Sequence, residues 1–247
     1  EGIVMEKVYG VPEGMTGEKT SFCAGCTHML AQKLIVECLN EMGERDNAIL
    51  SLAIGCSMNS VGVTDIHTIQ ASHGRSAAVA TGISRMNPDK IVLTYQGDGD
   101  TMSIGIAESL HTANRGEKVT VITINNQIYG MTGGQMSATT LVGQKSTTGV
   151  RKPELMGYPF NFAEMIGNLK APGYVARGAL YSPKYLMQAK EMIRKALRCQ
   201  KEKGLYSYVE LLSFCPTNWG VAPKDCLAYC EENVLPVFPV GEFKTCF

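Results

Sequence analysis

Five short, mostly apolar runs constrain the fold of this chain more than any other feature: Ala48–Ile54, Ile91–Tyr95, Val119–Ile124, Tyr174–Ala179 and Tyr206–Leu212. A strand with one wet face alternates apolar and polar residues. A run without alternation must be buried on both faces. Helical patterns lie between the runs. Leu30, Leu34, Ile35, Cys38 and Leu39 share one face until Gly43, and Ala77–Met86 is a helix of small residues. A third helix reaches about Asn114, and Phe162–Leu169 is a fourth. Pro183 opens a long helix that ends near Lys203 in lysines and arginines, as the helix dipole prefers. Strands alternating with helices predict an α/β fold, a mostly parallel sheet with helices on both faces. In such sheets ligands bind beyond the carboxyl ends of the strands.

Neither a repeat nor a linker divides the chain, so residues 1–247 are expected to form a single domain. Residues 1–20 read as an extended arm, 216–247 as a C-terminal extension, and 129–160 as an active-site loop rich in Gly, Thr, Ser and Gln. Basic and acidic residues balance at 23 each, which argues against nucleic acid as a partner. No apolar run approaches the ~18 residues that span a bilayer. The N-terminal residues lack a signal-peptide pattern, so a cytoplasmic location is expected. The chain opens on Glu1, and an initiator or leader is expected to precede it.

Two turns carry the first chemical signal. Gly97-Asp98-Gly99-Asp100 follows one apolar run and Asn125-Asn126 follows the next, with room for one helix and one strand between them. Neighbouring parallel strands would set Asp98 and Asn126 side by side. Magnesium takes oxygen ligands, typically a carboxylate or two completed by phosphate and water. Asp98 offers an anionic oxygen, Asn126 a neutral one, and the Ile128 carbonyl a third. The glycines allow close approach of a diphosphate, and a helix starting near Ser103 would aim its N-terminus at that anion.

Nine cysteines carry the second signal. Cys23 and Cys26 form a C-x-x-C pair before a helix, Cys56 closes the first strand and Cys215 the last. Four thiolates suit tetrahedral zinc or a 4Fe–4S cluster, and spacing alone leaves both open. Cys38, Cys199, Cys226, Cys230 and Cys246 read as small hydrophobes.

The span GDGD…NNQIYGMTGGQ resembles the diphosphate signature of thiamine-dependent enzymes. It is most similar to the version in the thiamine-binding subunit of 2-oxoacid:ferredoxin oxidoreductases. Thr20–Cys26 (TSFCAGC), Ile54–Ser57 (IGCS), Ala71–Arg75 (ASHGR) and Cys215–Trp219 (CPTNW) match further blocks of that family in order, so the resemblance covers essentially the whole chain. Ala24 stands where the family often has proline. The resemblance implies the diphosphate-binding half of a thiamine diphosphate fold. Its cofactor contacts would be Cys56, Ser57, His73, Gly97, Asp98, Gly99, Asp100, Asn126, Ile128, Gly130, Met131 and Thr132. Magnesium would sit on Asp98, Asn126 and the Ile128 carbonyl, and a 4Fe–4S cluster on Cys23, Cys26, Cys56 and Cys215. His73 would approach the cofactor, at its phosphates as an anion contact or at the reacting carbons as an acid or base, Arg75 would support its loop, and His28, His67 and His111 receive no role. Met58, Asn59 and Met131 would face substrate. They carry no charge where 2-oxoglutarate members are thought to use a basic side chain, which favours a branched-chain 2-oxoacid.

The implied reaction converts 2-oxoacid, coenzyme A and oxidised ferredoxin to acyl-coenzyme A, carbon dioxide and reduced ferredoxin. Ferredoxin takes electrons singly, hence a cluster near the thiazolium. The glutamate that activates the aminopyrimidine would come from a larger alpha subunit, and the family adds a gamma-type subunit and a ferredoxin-like cluster subunit. The alternatives are a non-redox thiamine decarboxylase or carboligase, a 2-oxoglutarate- or pyruvate-specific relative, and a silent assembly subunit.

Overall fold

A computed structural model describes residues 10–247. Of the expected arm, residues 1–9 lie outside the described residues. The remainder leans on the body of the chain, where Thr16 N donates to Val63 O at 3.0 Å. Helix α1 (His28–Glu41) leads into strand β1 (Ala48–Leu52). A 3-10 turn (Cys56–Ser60), β2 (His67–Gln70), α2 (Ser76–Met86) and β3 (Ile91–Gly97) follow. A π turn (Asp100–Ile104) then runs into α3 (Ile106–Arg115) and β4 (Thr120–Asn125). The expected loop holds two small hairpins, β5 (Ile128–Tyr129) with β6 (Gln135–Met136) and β7 (Lys145–Ser146) with β8 (Gly149–Val150). It ends in the single turn α4 (Pro153–Met156), after which come α5 (Phe162–Gly167), β9 (Tyr174–Ala179), α6 (Pro183–Lys203) and β10 (Ser207–Leu212). The last segment adds α7 (Pro216–Trp219), α8 (Cys226–Tyr229) and β11 (Gly241–Lys244).

Seven strands form one sheet in the order β11-β9-β10-β4-β3-β1-β2, parallel throughout except for β11. Strands β3, β4, β9 and β10 are buried along all or nearly all of their length, as non-alternating runs require. Helices α1 and α6 cover one face, with Ile35, Leu39, Ile193 and Leu197 in the core. Helices α2, α3 and α5 cover the other, with Ala80, Ala113, Phe162 and Ile166. Among the described residues no helix is long and apolar enough to cross a membrane.

Two elements differ from the sequence expectation. Strand β2 is exposed at all four positions and has Ile69 as its one apolar residue, so no apolar run announced it; it holds the edge through its ladder to β1. The helix expected near Ser103 opens earlier. The chain turns helical directly after Gly97, and Gly105 N donates to Asp100 O at 2.8 Å in a wide turn before α3. That turn lets the backbone pack against the His73 loop. A side chain at Gly105 would meet the Gly74 carbonyl oxygen at 2.5 Å, so both positions stay bare.

One charged network lies inside this sheet. Arg177, on β9, is fully buried; its Nε donates to Glu210 Oε2 on β10 at 2.9 Å, and its Nη1 and Nη2 grip Glu164 on α5, each at 2.6 Å. The guanidinium stands 5.2 Å from the Phe238 ring and 5.1 Å from that of Phe243. Burial works against its charge, but Glu210 and Glu164 more than offset this and hold its pKa above the ordinary arginine value. Glu210 Oε1 accepts from Asn125 Nδ2 at 2.5 Å, which ties the network to the end of β4. Arg177→Met would leave Glu210 charged and unpaired in the core, at a cost of about 3–5 kcal/mol. Urea unfolding should show that loss, and adding Glu210→Gln should recover part of it; a loss below about 1 kcal/mol would mean the pair contributes little.

Candidate functional site

The sheet changes direction between β1 and β3. From β1 the chain moves to β2 on one side and then returns to β3 on the other, which opens a crevice at their carboxyl ends. Gly55, at φ 106°, turns the chain out of β1 in a conformation that side chains rarely adopt. Cys56 and Ser57 follow at once. Ser57 is buried, and its hydroxyl has no partner although it borders the crevice.

Strand β3 delivers Asp98 to the same place. Its carboxylate is 2 % exposed, and Oδ2 accepts from the Ser137 and Thr139 hydroxyls, each at 2.5 Å. Burial pushes this carboxyl up to about 6, against those two hydroxyls. A cation beside it would offset that burial. Strand β4 supplies Asn126, whose Oδ1 accepts from Ile128 N at 3.3 Å and whose carbonyl accepts from Trp219 Nε1 at 2.7 Å. Between these two residues' contacts sits Gln127, the one non-glycine with positive φ (59°) among the described residues. Asn125 Oδ1 holds it by accepting from Gln127 N at 3.1 Å and Gln127 Nε2 at 2.9 Å.

All twelve residues expected to contact a cofactor, from Cys56 to Thr132, line one cavity. They do not share one function. Asp100 is turned into the protein: Oδ1 accepts from His73 Nδ1 at 2.5 Å and Gly74 N at 2.6 Å, and Oδ2 from Gln96 Nε2 at 2.7 Å. Its carboxylate therefore fixes His73 and is occupied by three hydrogen bonds within the protein. Because a carboxylate only accepts, the proton of His73 sits on Nδ1, and Nε2 is the nitrogen left over. Thr132 spends its hydroxyl on Gln135 Oε1 at 2.6 Å.

Cys23, Cys26, Cys56 and Cys215 line a second cavity of about 430 Å³ with Asn59, Asn126, Gly130, Met131 and Asn218. All nine cysteines are free thiols. Burial pushes the thiols of Cys26 to about 11 and Cys56 to about 12 and also raises Cys215, and the sulfurs raise one another. Among the described residues no three His, Cys, Asp or Glu side chains converge on one metal position. The four cysteines instead share the lining of one cavity. The two cavities share Cys56, Asn126, Gly130 and Met131 as a common wall.

Met58 differs from expectation. It is partly exposed and borders neither cavity, because the 3-10 turn that buries Ser57 carries the next side chain outward. Sequence reasoning also missed several contributors. His28 lines the cofactor cavity, bonds Tyr95 Oη through Nδ1 at 2.8 Å, and is pushed down to about 4 by burial. Its place two residues after Cys26 was the one available hint. Ser137 and Thr139, which hold Asp98, gave no periodic signal. Asn218 donates to Gly130 O at 3.1 Å and to Cys215 Sγ at 3.4 Å, and lay unused inside the CPTNW block.

The family model for the thiamine pyrophosphate enzyme C-terminal, TPP-binding domain matches residues 53–210. The ketoisovalerate oxidoreductase subunit VorA of Methanothermobacter marburgensis is 40% identical over 97% of this chain and 51% of its own length. The 2-oxoglutarate synthase subunit KorB of Archaeoglobus fulgidus is 34% identical over 87% of this chain and 76% of its own. Among solved structures, the 2-oxoglutarate:ferredoxin oxidoreductase of Magnetococcus marinus, with 2-oxoglutarate, coenzyme A and succinyl-CoA bound, aligns with a TM-score of 0.77 at 26% identity, over 94% of this chain and 83% of that one. The chain spans about half the length of the VorA proteins it matches.

Gly99 sets how closely the two turns approach. A methyl group there would lie 2.2 Å from the Tyr129 ring, which itself donates from its hydroxyl to Gly99 O at 3.2 Å. Gly99→Ala should therefore cost about 1–3 kcal/mol of overpacking in urea unfolding. In a Tyr129→Leu background the same change should cost less, and fully additive losses would show that the ring is not the obstacle.

Proposed function

Because this chain belongs to the thiamine pyrophosphate enzymes, and to the 2-oxoacid oxidoreductase subunits that include VorA and KorB, we propose that it is the diphosphate-binding subunit of a 2-oxoacid:ferredoxin oxidoreductase. The enzyme would convert a 2-oxoacid and coenzyme A to acyl-coenzyme A and carbon dioxide, and pass the electrons to ferredoxin in the cytoplasm. The observation that carries this reading is the shared wall: a crevice with a buried carboxylate and an unpartnered serine adjoins a cavity ringed by four thiols.

In this reading Asp98, the Asn126 amide and the Ile128 carbonyl hold magnesium on the cofactor's diphosphate, and Ser57 donates to the same cofactor. Cys23, Cys26, Cys56 and Cys215 ligate a 4Fe–4S cluster. Thiamine diphosphate bound here would supply a thiazolium able to stabilise negative charge on the 2-oxoacid carbon, and a cluster on the four cysteines would supply one-electron transfer. His73, held by Asp100 at Nδ1, keeps Nε2 for a proton at the reacting atoms. Met131 and Asn59 border the substrate space. Among the described residues neither cavity is lined by lysine or arginine, so the distal carboxylate of 2-oxoglutarate would meet no such cation there. That favours a branched-chain 2-oxoacid such as 2-oxoisovalerate, with pyruvate as the uncharged alternative. A second chain supplies the pyrimidine-binding domain, and the cofactor lies between the two.

The complex purified without oxygen should contain iron, show broad visible absorption and reduce ferredoxin with 2-oxoisovalerate and coenzyme A. Cys56→Ser should lose the absorption and the ferredoxin reduction while retaining thiamine diphosphate. A marked preference for 2-oxoglutarate would remove the substrate assignment. Turnover by the isolated chain, or iron-free protein with full activity, would remove the subunit and cluster assignments respectively.

A further inference from the structure

Arg151 is a buried cation whose recorded partners are all backbone carbonyls. It is 5 % exposed, and among the described residues no carboxylate lies within ion-pair reach. Its Nε is buried without a partner. The other guanidinium nitrogens donate only to backbone carbonyls. Nη1 meets Met156 O at 2.9 Å, Gly157 O at 3.0 Å and Tyr158 O at 3.4 Å, and Nη2 meets Ser137 O at 2.6 Å and Ala138 O at 3.3 Å. A buried unpaired charge is costly, and the planar fork of arginine is the side chain that can join two strands of backbone in this way.

What Arg151 holds is the segment 137–140, and this segment reaches both candidate metal-binding turns. Ser137 and Thr139 donate to Asp98, and Thr140 Oγ1 donates to Gln127 O at 2.6 Å, beside Asn126. Ala138 N donates to Ser103 Oγ at 3.2 Å, in the turn that follows Asp98. The segment is thus a bracket between the end of β3 and the end of β4, and its outer side is fastened by one buried cation.

We propose that Arg151 is a positioning residue for the cofactor: through the 137–140 bracket it fixes the separation of Asp98 and Asn126, and so sets the affinity of the complex for thiamine diphosphate and magnesium. This rests on the function proposed above. Loop 129–160 is, on this view, a fixed part of the site, held in part by side-chain-to-backbone bonds of Thr140, Gln144, Ser146 and Arg151.

The test uses the full complex, stripped of metal and cofactor by chelation and reloaded with magnesium and thiamine diphosphate, with bound cofactor measured by equilibrium dialysis. Arg151→Lys keeps the charge but cannot span both strands, and it should weaken cofactor binding tenfold or more. At saturating cofactor kcat should return, and KM for the 2-oxoacid should stay within twofold of wild type. A purely structural role would instead lower kcat and assembled complex together without this split. Thr140→Val, which cuts the tie to Gln127 and the bond that Thr140 Oγ1 accepts from Ser137 N, covers the case in which Arg151 variants fail to assemble, and it should weaken binding several-fold in the assembled complex. Wild-type affinity in both assembled variants, or in Thr140→Val alone should Arg151→Lys not assemble, overturns the proposal. A wild-type complex that binds no thiamine diphosphate overturns both the proposal and the function beneath it.

Discussion

The buried pair of Arg177 and Glu210 is the interaction on which the rest of the structure leans. Glu210 is fully buried and shares its two oxygens between Arg177 and Asn125. Asn125 in turn holds Gln127 in a left-handed conformation that costs of order 1–3 kcal/mol for a residue with a side chain. That conformation sets the direction in which Asn126 and Ile128 leave the sheet. A core ion pair rarely repays its own desolvation. Here it anchors a strained turn from below, while segment 137–140 holds the same turn from above.

The shared wall of the two cavities is made of backbone as much as of side chains. Gly130 belongs to it because a methyl group there would stand 3.2 Å from Cys56 Sγ and 3.6 Å from Cys215 Sγ. That methyl group would be tight against the Cys56 sulfur and in ordinary contact with that of Cys215. Asn218 closes this corner from the C-terminal side, linking the Gly130 carbonyl to Cys215. The Gly130 backbone and the Asn218 amide together thus set the spacing of the sulfurs and the crevice.

Much of this was legible in the sequence, and for a physical reason. Strands buried on both faces leave non-alternating runs, so β3, β4, β9 and β10 could be read directly, and strand ends marked by glycine, asparagine and cysteine located the crevice. Strand β2 was illegible because an exposed edge strand needs no apolar residues. The loop was legible only as an absence of period. Arg151, Ser137, Thr139 and Thr140 act through single hydrogen bonds to backbone or carboxylate, and such bonds leave no repeating pattern. Asp100 shows the complementary limit. The motif placed it beside the crevice, but only the folded chain reveals that its oxygens face His73, Gly74 and Gln96.

The order of the sheet also dictates when the site can exist. Strand β10 is the last parallel strand in the chain, yet it sits between β4 and β9, both made earlier. Until it inserts, β4 has an open, apolar edge, and such edges are where nascent chains mispair. Asn125 has no Glu210 to bind before that moment, and the turn carrying Asn126 has nothing beneath it. Every parallel ladder here also joins strands separated by a crossover, a topology that folds slowly. The support beneath the Asn126 turn therefore comes from Ser207–Leu212, the last parallel strand to be synthesised.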